Sequence, residues 1–386
     1  MDKIKNGKVI IGDRIYDHVN VYHENGIILS VSEADTPCEA ELDANGAFVS
    51  PGFIEIHCHG GGDADFLDGT KDAFLTASAL HARHGVTTLF PTATSSSLQE
   101  TLQMEAAYRE AAACCHNGAD MPGLHLEGPY FSPLQCGAQD PRCLRNPKPE
   151  EYLPLLDRCK SIVRWSIAPE LPGALELGKE CVRRGILAAI GHSNAEYEEV
   201  LAAWQAGFRH VTHLYSGMSS VHRVNAYRHG GVVEAAYLIN DMTVEMIADG
   251  KHLPAELLQL VYKIKGADRI ALITDAMRGA GMPEGPSILG HKDHGLRTII
   301  ENGVAMLPDK QSFAGSVATF DRLVRNMVTL ARVPLTDAVK MASETPARIM
   351  RLSDRGRIEP GLRADFTLFD NDIRISHVIV HGRAIR

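Results

Sequence analysis

Eight short apolar runs, at 53–59, 86–90, 123–127, 162–168, 186–192, 210–215, 243–248 and 269–275, alternate with helix-period segments at 72–84, 98–115, 173–184, 194–206 and 254–264. Runs of this length, rich in Val, Ile and Leu, read as strands buried on both faces. Strands of that kind joined by helices form a parallel sheet, which is either open and doubly wound or closed into a barrel. No Gly-x-Gly-x-x-Gly follows the first run and the count of eight favours closure, so the fold class is α/β, a (β/α)8 TIM barrel. The 386 residues suffice for such a barrel and one accessory domain.

The two ends have a different texture. Lys8-Val9-Ile10-Ile11, Val19-Asn20-Val21-Tyr22 and Gly26-Ile27-Ile28-Leu29-Ser30-Val31 near the start, and Asp365-Phe366-Thr367-Leu368-Phe369 and His377-Val378-Ile379-Val380-His381-Gly382 near the end, are short β-like runs bounded by turn residues. They predict a small β-sandwich domain from residues 1–50 and 358–386, beside a barrel over 51–357. Two unrelated sheet pieces packed on the barrel are the alternative. Residues 279–303, rich in Gly and Pro, read as a long loop, followed by helices at 319–331 and 335–341.

In a barrel, reactive groups collect at the C-terminal ends of the strands, where the strand-to-helix loops form one rim. In this chain that rim is polar. The first run ends in His57-Cys58-His59, and period-2 alternation puts both imidazoles on one side and Cys58 on the other, as a packing residue. The third ends in Glu127, the fifth in His192, the sixth in His213 and the eighth in Asp275. Each alone is more often a core histidine, a helix-capping acid or a turn former. Together, ending buried strands, they would be a costly set of unpaired polar groups without a cation to bind.

Nitrogen and carboxylate donors without thiolate suit Zn²⁺ best, with Fe²⁺, Mn²⁺ and Co²⁺ also compatible. The reading gives Glu127, His192 and His213 to one metal, and His57 and His59 to a second with Glu127 bridging. Asp275 is left as general base beside an activated water, which is the equipment for hydrolysing a C–N or similar bond.

Net charge of −9 offers no basic stripe for nucleic acid or an anionic membrane. Met1-Asp2-Lys3-Ile4-Lys5-Asn6 lacks a signal-peptide stretch and no run reaches membrane-span length, so a cytoplasmic protein is expected. The eight cysteines include no Cys-x-x-Cys pair and are read as reduced thiols.

In their order, Pro51-Gly52-Phe53-Ile54 with His57-Cys58-His59-Gly60, His125-Leu126-Glu127-Gly128-Pro129, Gly191-His192-Ser193, Thr212-His213-Leu214-Tyr215, Ala248-Asp249-Gly250-Lys251-His252, Thr274-Asp275-Ala276, Ala314-Gly315-Ser316 and Glu359-Pro360-Gly361 resemble the amidohydrolase superfamily, and within it the N-acetylglucosamine-6-phosphate deacetylases. The resemblance implies a homodimeric, metal-dependent enzyme that cleaves the acetamide of a phosphorylated amino sugar. It makes Asp275 the acid/base, and His252 with the loop Phe313, Ala314 and Gly315 substrate contacts.

The pattern also departs from that family. Gln139 stands where the family has a histidine that polarises the acetyl carbonyl; an amide still donates a hydrogen bond but carries no charge. Ser216 and Gly217 replace the Asn-Ala of the family's His-Leu-Tyr-Asn-Ala-Met. The phosphate-binding arginine that the family takes from a partner subunit corresponds to Arg228, with Arg223 as the other choice. Other expectations are an N-acetylgalactosamine-6-phosphate or unphosphorylated amino sugar deacetylase, an N-acyl amino acid deacylase, a cyclic amidase, or an inactive scaffold. Many of the cyclic amidases use a strand-four lysine, which Ile162-Val163-Arg164-Trp165-Ser166-Ile167-Ala168 lacks, and a scaffold would be expected to lose ligands that this chain keeps.

Overall fold

The computed structural model describes residues 1–385. Eight parallel strands, β1 (Phe53–Cys58), β2 (Val86–Ala93), β3 (Leu124–Glu127), β4 (Ile162–Ile167), β5 (Leu187–Ile190), β6 (His210–Val211), β7 (Thr243–Ile247) and β8 (Ile270–Ile273), follow one another in a single sheet. The seam between β8 and β1 is closed by single bonds. The Asp275 N–H donates to the His57 carbonyl (2.9 Å). The carboxylate of Glu55 spans the rest, accepting from the N–H groups of His57 and Thr274 at 2.9 Å each.

Helices α1 (Lys71–Arg83), α2 (Leu98–Ala112), α3 (Pro149–Arg158), α4 (Ala174–Arg183), α5 (Tyr197–Gln205), α6 (Val232–Leu238), α7 (Ala255–Lys265) and α8 (Phe320–Thr329) surround the sheet, followed by Leu335–Ala342 and Glu344–Ile349. Helices α3 and α6 fill the two crossovers where periodicity marked none; α3 carries Pro154 inside it, and α6 is only seven residues long.

Residues 279–303 are not one long loop. Gly285–Leu289, Leu296–Glu301 and Val304–Met306 form a three-stranded antiparallel sheet. Its last turn is Asn302-Gly303, both at positive φ (56° and 71°), the conformation a two-residue hairpin requires. Its inner residues Leu289, Ile300 and Ala305 pack on Met277, just past β8.

Both chain ends enter one domain. Five N-terminal strands and three C-terminal ones form one eight-stranded sheet, seven of them in a continuous path and Ala40–Asp43 paired beside the first of them in the chain, with Phe366–Phe369 antiparallel to Phe48–Pro51. Its core of Ile4, Val9, Val21, Val49, Phe366 and Leu368 is separate from the barrel core, and Phe53 stacks on Phe320 and lies tilted against Phe369 where the two meet.

Candidate metal centre

Three of the ligand-type residues have backbones no ordinary strand residue adopts: His192, His213 and Asp275 lie at φ 45°, 28° and 49°. Strands β5, β6 and β8 therefore stop two residues before them, shorter than the apolar runs predict. The left-handed turn breaks the ladder and swings each side chain over the barrel mouth. Non-glycine residues in this region cost of order 1–3 kcal/mol and recur where function requires the geometry.

The six side chains converge. Glu127 Oε1 lies 2.8 Å from His213 Nε2, 3.2 Å from His192 Nε2 and 3.6 Å from His57 Nε2, and its Oε2 lies 3.3 Å from His59 Nε2. Asp275 Oδ1 is 3.0 Å from His59 Nε2 and 3.5 Å from His57 Nε2. Two triads result, Glu127–His192–His213 and His57–His59–Asp275, each with its ligand atoms within 4.8 Å of one another. Asp275, read from sequence as base alone, thus also faces the second cation position.

The donor set fits a divalent cation. Nδ1 of His59 lies 3.2 Å from the Thr92 carbonyl and Nδ1 of His192 lies 2.8 Å from the Gln135 carbonyl. A carbonyl only accepts, so Nδ1 carries a proton in each, and Nε2 is left as the nitrogen that can coordinate a cation once its own proton is displaced. Nε2 of His57 is buried with no hydrogen-bond partner at all among the described residues.

Charge points the same way. Burial alone would lower the His57 pKa and raise those of the carboxylates, but mutual attraction prevails. Carboxylates Glu245, Glu127 and Asp275 push His57 up to about 9. The imidazolium of His57 and hydrogen bonds from His192 and His213 hold Glu127 well below the usual carboxylate range. His57 and His59 likewise lower Asp275. Such a site retains positive charge strongly, as protons or as a metal.

Above the cluster opens a cavity of about 280 Å³ lined in part by Gln139, Ser216, Gly217, His252, Phe313 and Gly315. Gln139 is buried; its Oε1 accepts from the Ser95 N–H (2.7 Å), which fixes the amide so that Nε2 donates to Glu127 Oε2 (2.7 Å). His252 is held through Nδ1 by Asp249 (2.9 Å) and packs on Phe313. Ala314 does not reach the cavity; it is fully buried against Met277 and Leu289. Arg223 and Arg228 face each other on an exposed hairpin, His222–Val224 and Tyr227–His229, and neither lines the cavity of its own chain.

Sequence reading missed the layer below. Arg164 on β4 and Glu245 on β7 are fully buried and ion-paired across the barrel, and His125 bonds Ser166 Oγ (2.8 Å). Barrel interiors are ordinarily filled by branched aliphatics. A charge inside an otherwise apolar run was the available signal.

The amidohydrolase family model matches residues 48–385. The N-acetylglucosamine-6-phosphate deacetylase of Vibrio furnissii is 33% identical over 375 residues, which cover 96% of this chain and 91% of that protein. The N-acetylgalactosamine-6-phosphate deacetylase of Escherichia coli O157:H7 is 32% identical over 363 residues, covering 92% and 90%. Among solved structures, the N-acetyl-D-glucosamine-6-phosphate deacetylase of Mycobacterium smegmatis matches with a TM-score of 0.91 at 31% identity, over 100% of both chains.

Proposed function

The chain belongs to the amidohydrolase family, among its N-acetylglucosamine-6-phosphate deacetylases, and from that premise we propose that it hydrolyses N-acetylglucosamine 6-phosphate to glucosamine 6-phosphate and acetate. The observation that carries the reading is the pair of His/carboxylate triads on the floor of one cavity, with Asp275 Oδ1 3.0 Å from His59 Nε2. Glu127, His192 and His213 would hold one divalent cation, zinc by the donor chemistry, and His57, His59 and Asp275 a second, with Glu127 between them. When bound, the cation supplies Lewis acidity toward the amide carbonyl and the attacking water.

Asp275 accepts the proton of the water that attacks the acetyl carbon, and returns it to the nitrogen as the C–N bond breaks. The amide of Gln139, fixed by Ser95, offers an N–H donor beside the carbonyl oxygen as charge develops there. His252, fixed by Asp249, and the backbone of Ser216 and Gly217 orient the sugar. The enzyme works as a cytoplasmic homodimer, in which Arg228 of the exposed hairpin reaches the neighbouring site to take the phosphate, with Arg223 as the alternative donor. In support of a soluble setting, no helix among the described residues is long and apolar enough to cross a membrane.

A second reading is the galactosamine epimer, favoured by the nearly equal identity to the E. coli O157:H7 relative. The test is acetate release by metal-reconstituted protein from N-acetylglucosamine 6-phosphate, N-acetylgalactosamine 6-phosphate and the two unphosphorylated sugars. The expected order puts N-acetylglucosamine 6-phosphate first by kcat/KM. Acetate from none of them would sink the reading.

A further inference from the structure

We propose that Glu245 is a positioning residue that fixes the tautomer of His57 and thereby sets the affinity of the second cation position. This rests on the two-cation reading above. Among the four imidazoles of the cluster, His57 alone has a carboxylate behind it: its Nδ1 lies 3.0 Å from Glu245 Oε2, whereas His59 and His192 lean on main-chain carbonyls. Nδ1 of His213 has no partner among the described residues.

A carboxylate can only accept, so it holds a proton on Nδ1 and leaves Nε2 as the ligating nitrogen turned toward the cluster. That Nε2 makes no hydrogen bond among the described residues, its nearest carboxylate oxygens lying 3.5 and 3.6 Å away on Asp275 and Glu127. The same Glu245 oxygen accepts the main-chain N–H of His213 (3.0 Å), so one atom braces a ligand from each triad. The other oxygen faces the Arg164 guanidinium, and both side chains are fully buried. Arg164 also donates to the Ile56 carbonyl (3.1 Å) and to Thr212 Oγ1 (3.1 Å), which leaves the carboxylate little room to turn. Because arginine stays charged, it keeps Glu245 anionic at depth. An anionic partner behind a ligating imidazole raises its basicity as well as aiming it, and loss of such a partner costs about 10–100-fold in metal affinity.

A purely structural ion pair would stabilise the barrel without distinguishing the two cation positions. Removing one partner of a buried pair strands the other's charge, so the variants change both: Arg164→Met with Glu245→Leu removes the acceptor, and Arg164→Met with Glu245→Gln returns a neutral one. Zn²⁺ affinity is measured by competition with a chelating indicator. For the Leu-containing variant the second equivalent should weaken about 10–100-fold, with the first changed much less; the Gln-containing variant should recover part of that loss. Wild-type affinity at both positions, or equal losses at both, would overturn the proposal. Wild-type protein that binds fewer than two ions would instead remove the two-cation reading, and this one with it.

A neutron crystal structure of the unmodified, metal-loaded enzyme gives an answer even where the variants fail to fold. It should show a deuteron on Nδ1 of His57 and none on Glu245. A deuteron on His57 Nε2 overturns the assignment.

Discussion

The floor of the cavity and its mouth are held by different means. On the floor, each group projects from a strand end or the first residues beyond it. Backbone carbonyls, the Glu245 carboxylate and the barrel's own hydrogen bonds fix three of the four imidazoles. At the mouth, Ser216, Gly217 and Phe313 sit on connections, and the 222–229 hairpin, which lines no part of this chain's cavity, follows Ser216 on the same connection; Phe313 is 41% exposed and Tyr227 76%. The positions that the sequence resemblance marks as departures, Gln139, Ser216 and Gly217, fall on the mouth and the loop that walls it, whereas the six floor residues are those that the resemblance carries over. A reaction that needs ligand atoms placed to a fraction of an ångström belongs on the rigid part, and the choice of sugar belongs where substitution is tolerated.

Changing the floor should therefore abolish turnover, and changing the mouth should retune it. The largest effect is expected from Asp275→Asn. The amide keeps the size but cannot take a proton from water, so kcat should fall about 10²–10⁴-fold. The cation at Glu127–His192–His213 should remain, checked by metal analysis of the purified variant. Wild-type turnover would remove Asp275 from the acid/base role.

Next comes Gly217→Ala, where floor and mouth touch. Gly217 lies at φ +55°, and a Cβ there would sit 2.7 Å from Nδ1 of His192 and 3.2 Å from the Gln135 carbonyl that orients it. The imidazole or the loop has to give; because the resembled pattern carries alanine at this position, the loop takes up part of the clash, and metal affinity should drop about tenfold, the low end of the cost of losing an outer partner of a ligand. Gly185→Ala is the control: φ is +78° but nothing lies within 4 Å, so it carries the backbone strain without the clash. Equal metal affinity in the two variants would show that His192 is not confined by the mouth.

The floor should also report its charge through pH. In the metal-free protein His57 is pushed up to about 9 and is protonated at neutral pH. The sign follows: a raised histidine pKa stabilises the metal-free fold fully below about 6.5, and that contribution is lost as pH rises through about 9. Cation binding must expel the proton, so apparent affinity should rise about tenfold per pH unit for each proton displaced over that window, then level off. Calorimetry in buffers of different ionisation enthalpy would detect the released protons; affinity independent of pH from 6 to 9 contradicts it.

The sequence carried the floor better than its support, for physical reasons. His57, His59, Glu127, His192, His213 and Asp275 are conspicuous because each interrupts or ends an apolar run, and parallel strands bring such ends to one rim whatever the details. The exact strand ends at Ile190, Val211 and Ile273 were hidden, because only the three-dimensional site pays for left-handed turns at histidine and aspartate. Glu245 and Arg164 were visible as charges in strands, but they stand 81 positions apart, and nothing local says that they meet. In 279–303 the Gly and Pro content outweighed the β-branched stretch Thr298-Ile299-Ile300 and the Asn302-Gly303 turn, which together specify the hairpin seen there.

The smallest effect should come from the exposed hairpin beyond the mouth. No lysine or arginine lines the cavity among the described residues, so the charge that receives a phosphate has to arrive from outside it. Arg228 is exposed on its hairpin; among the described residues its guanidinium donates one hydrogen bond, to the Ala226 carbonyl at 3.2 Å, so most of its donors remain available to an anion. An exposed cation in salt solution is screened and contributes little to its own fold, so Arg228→Ala should leave stability unchanged. Its effect should be confined to the phosphorylated substrate: about a tenfold rise in KM, the equivalent of ~1.4 kcal/mol, with kcat and turnover of the unphosphorylated sugar unaltered. Arg223→Ala is the companion measurement, since the two arginines are paired across the hairpin and only one need reach the neighbour. A kcat defect shared by both sugars would move Arg228 from the mouth to the floor and erase the distinction drawn between them.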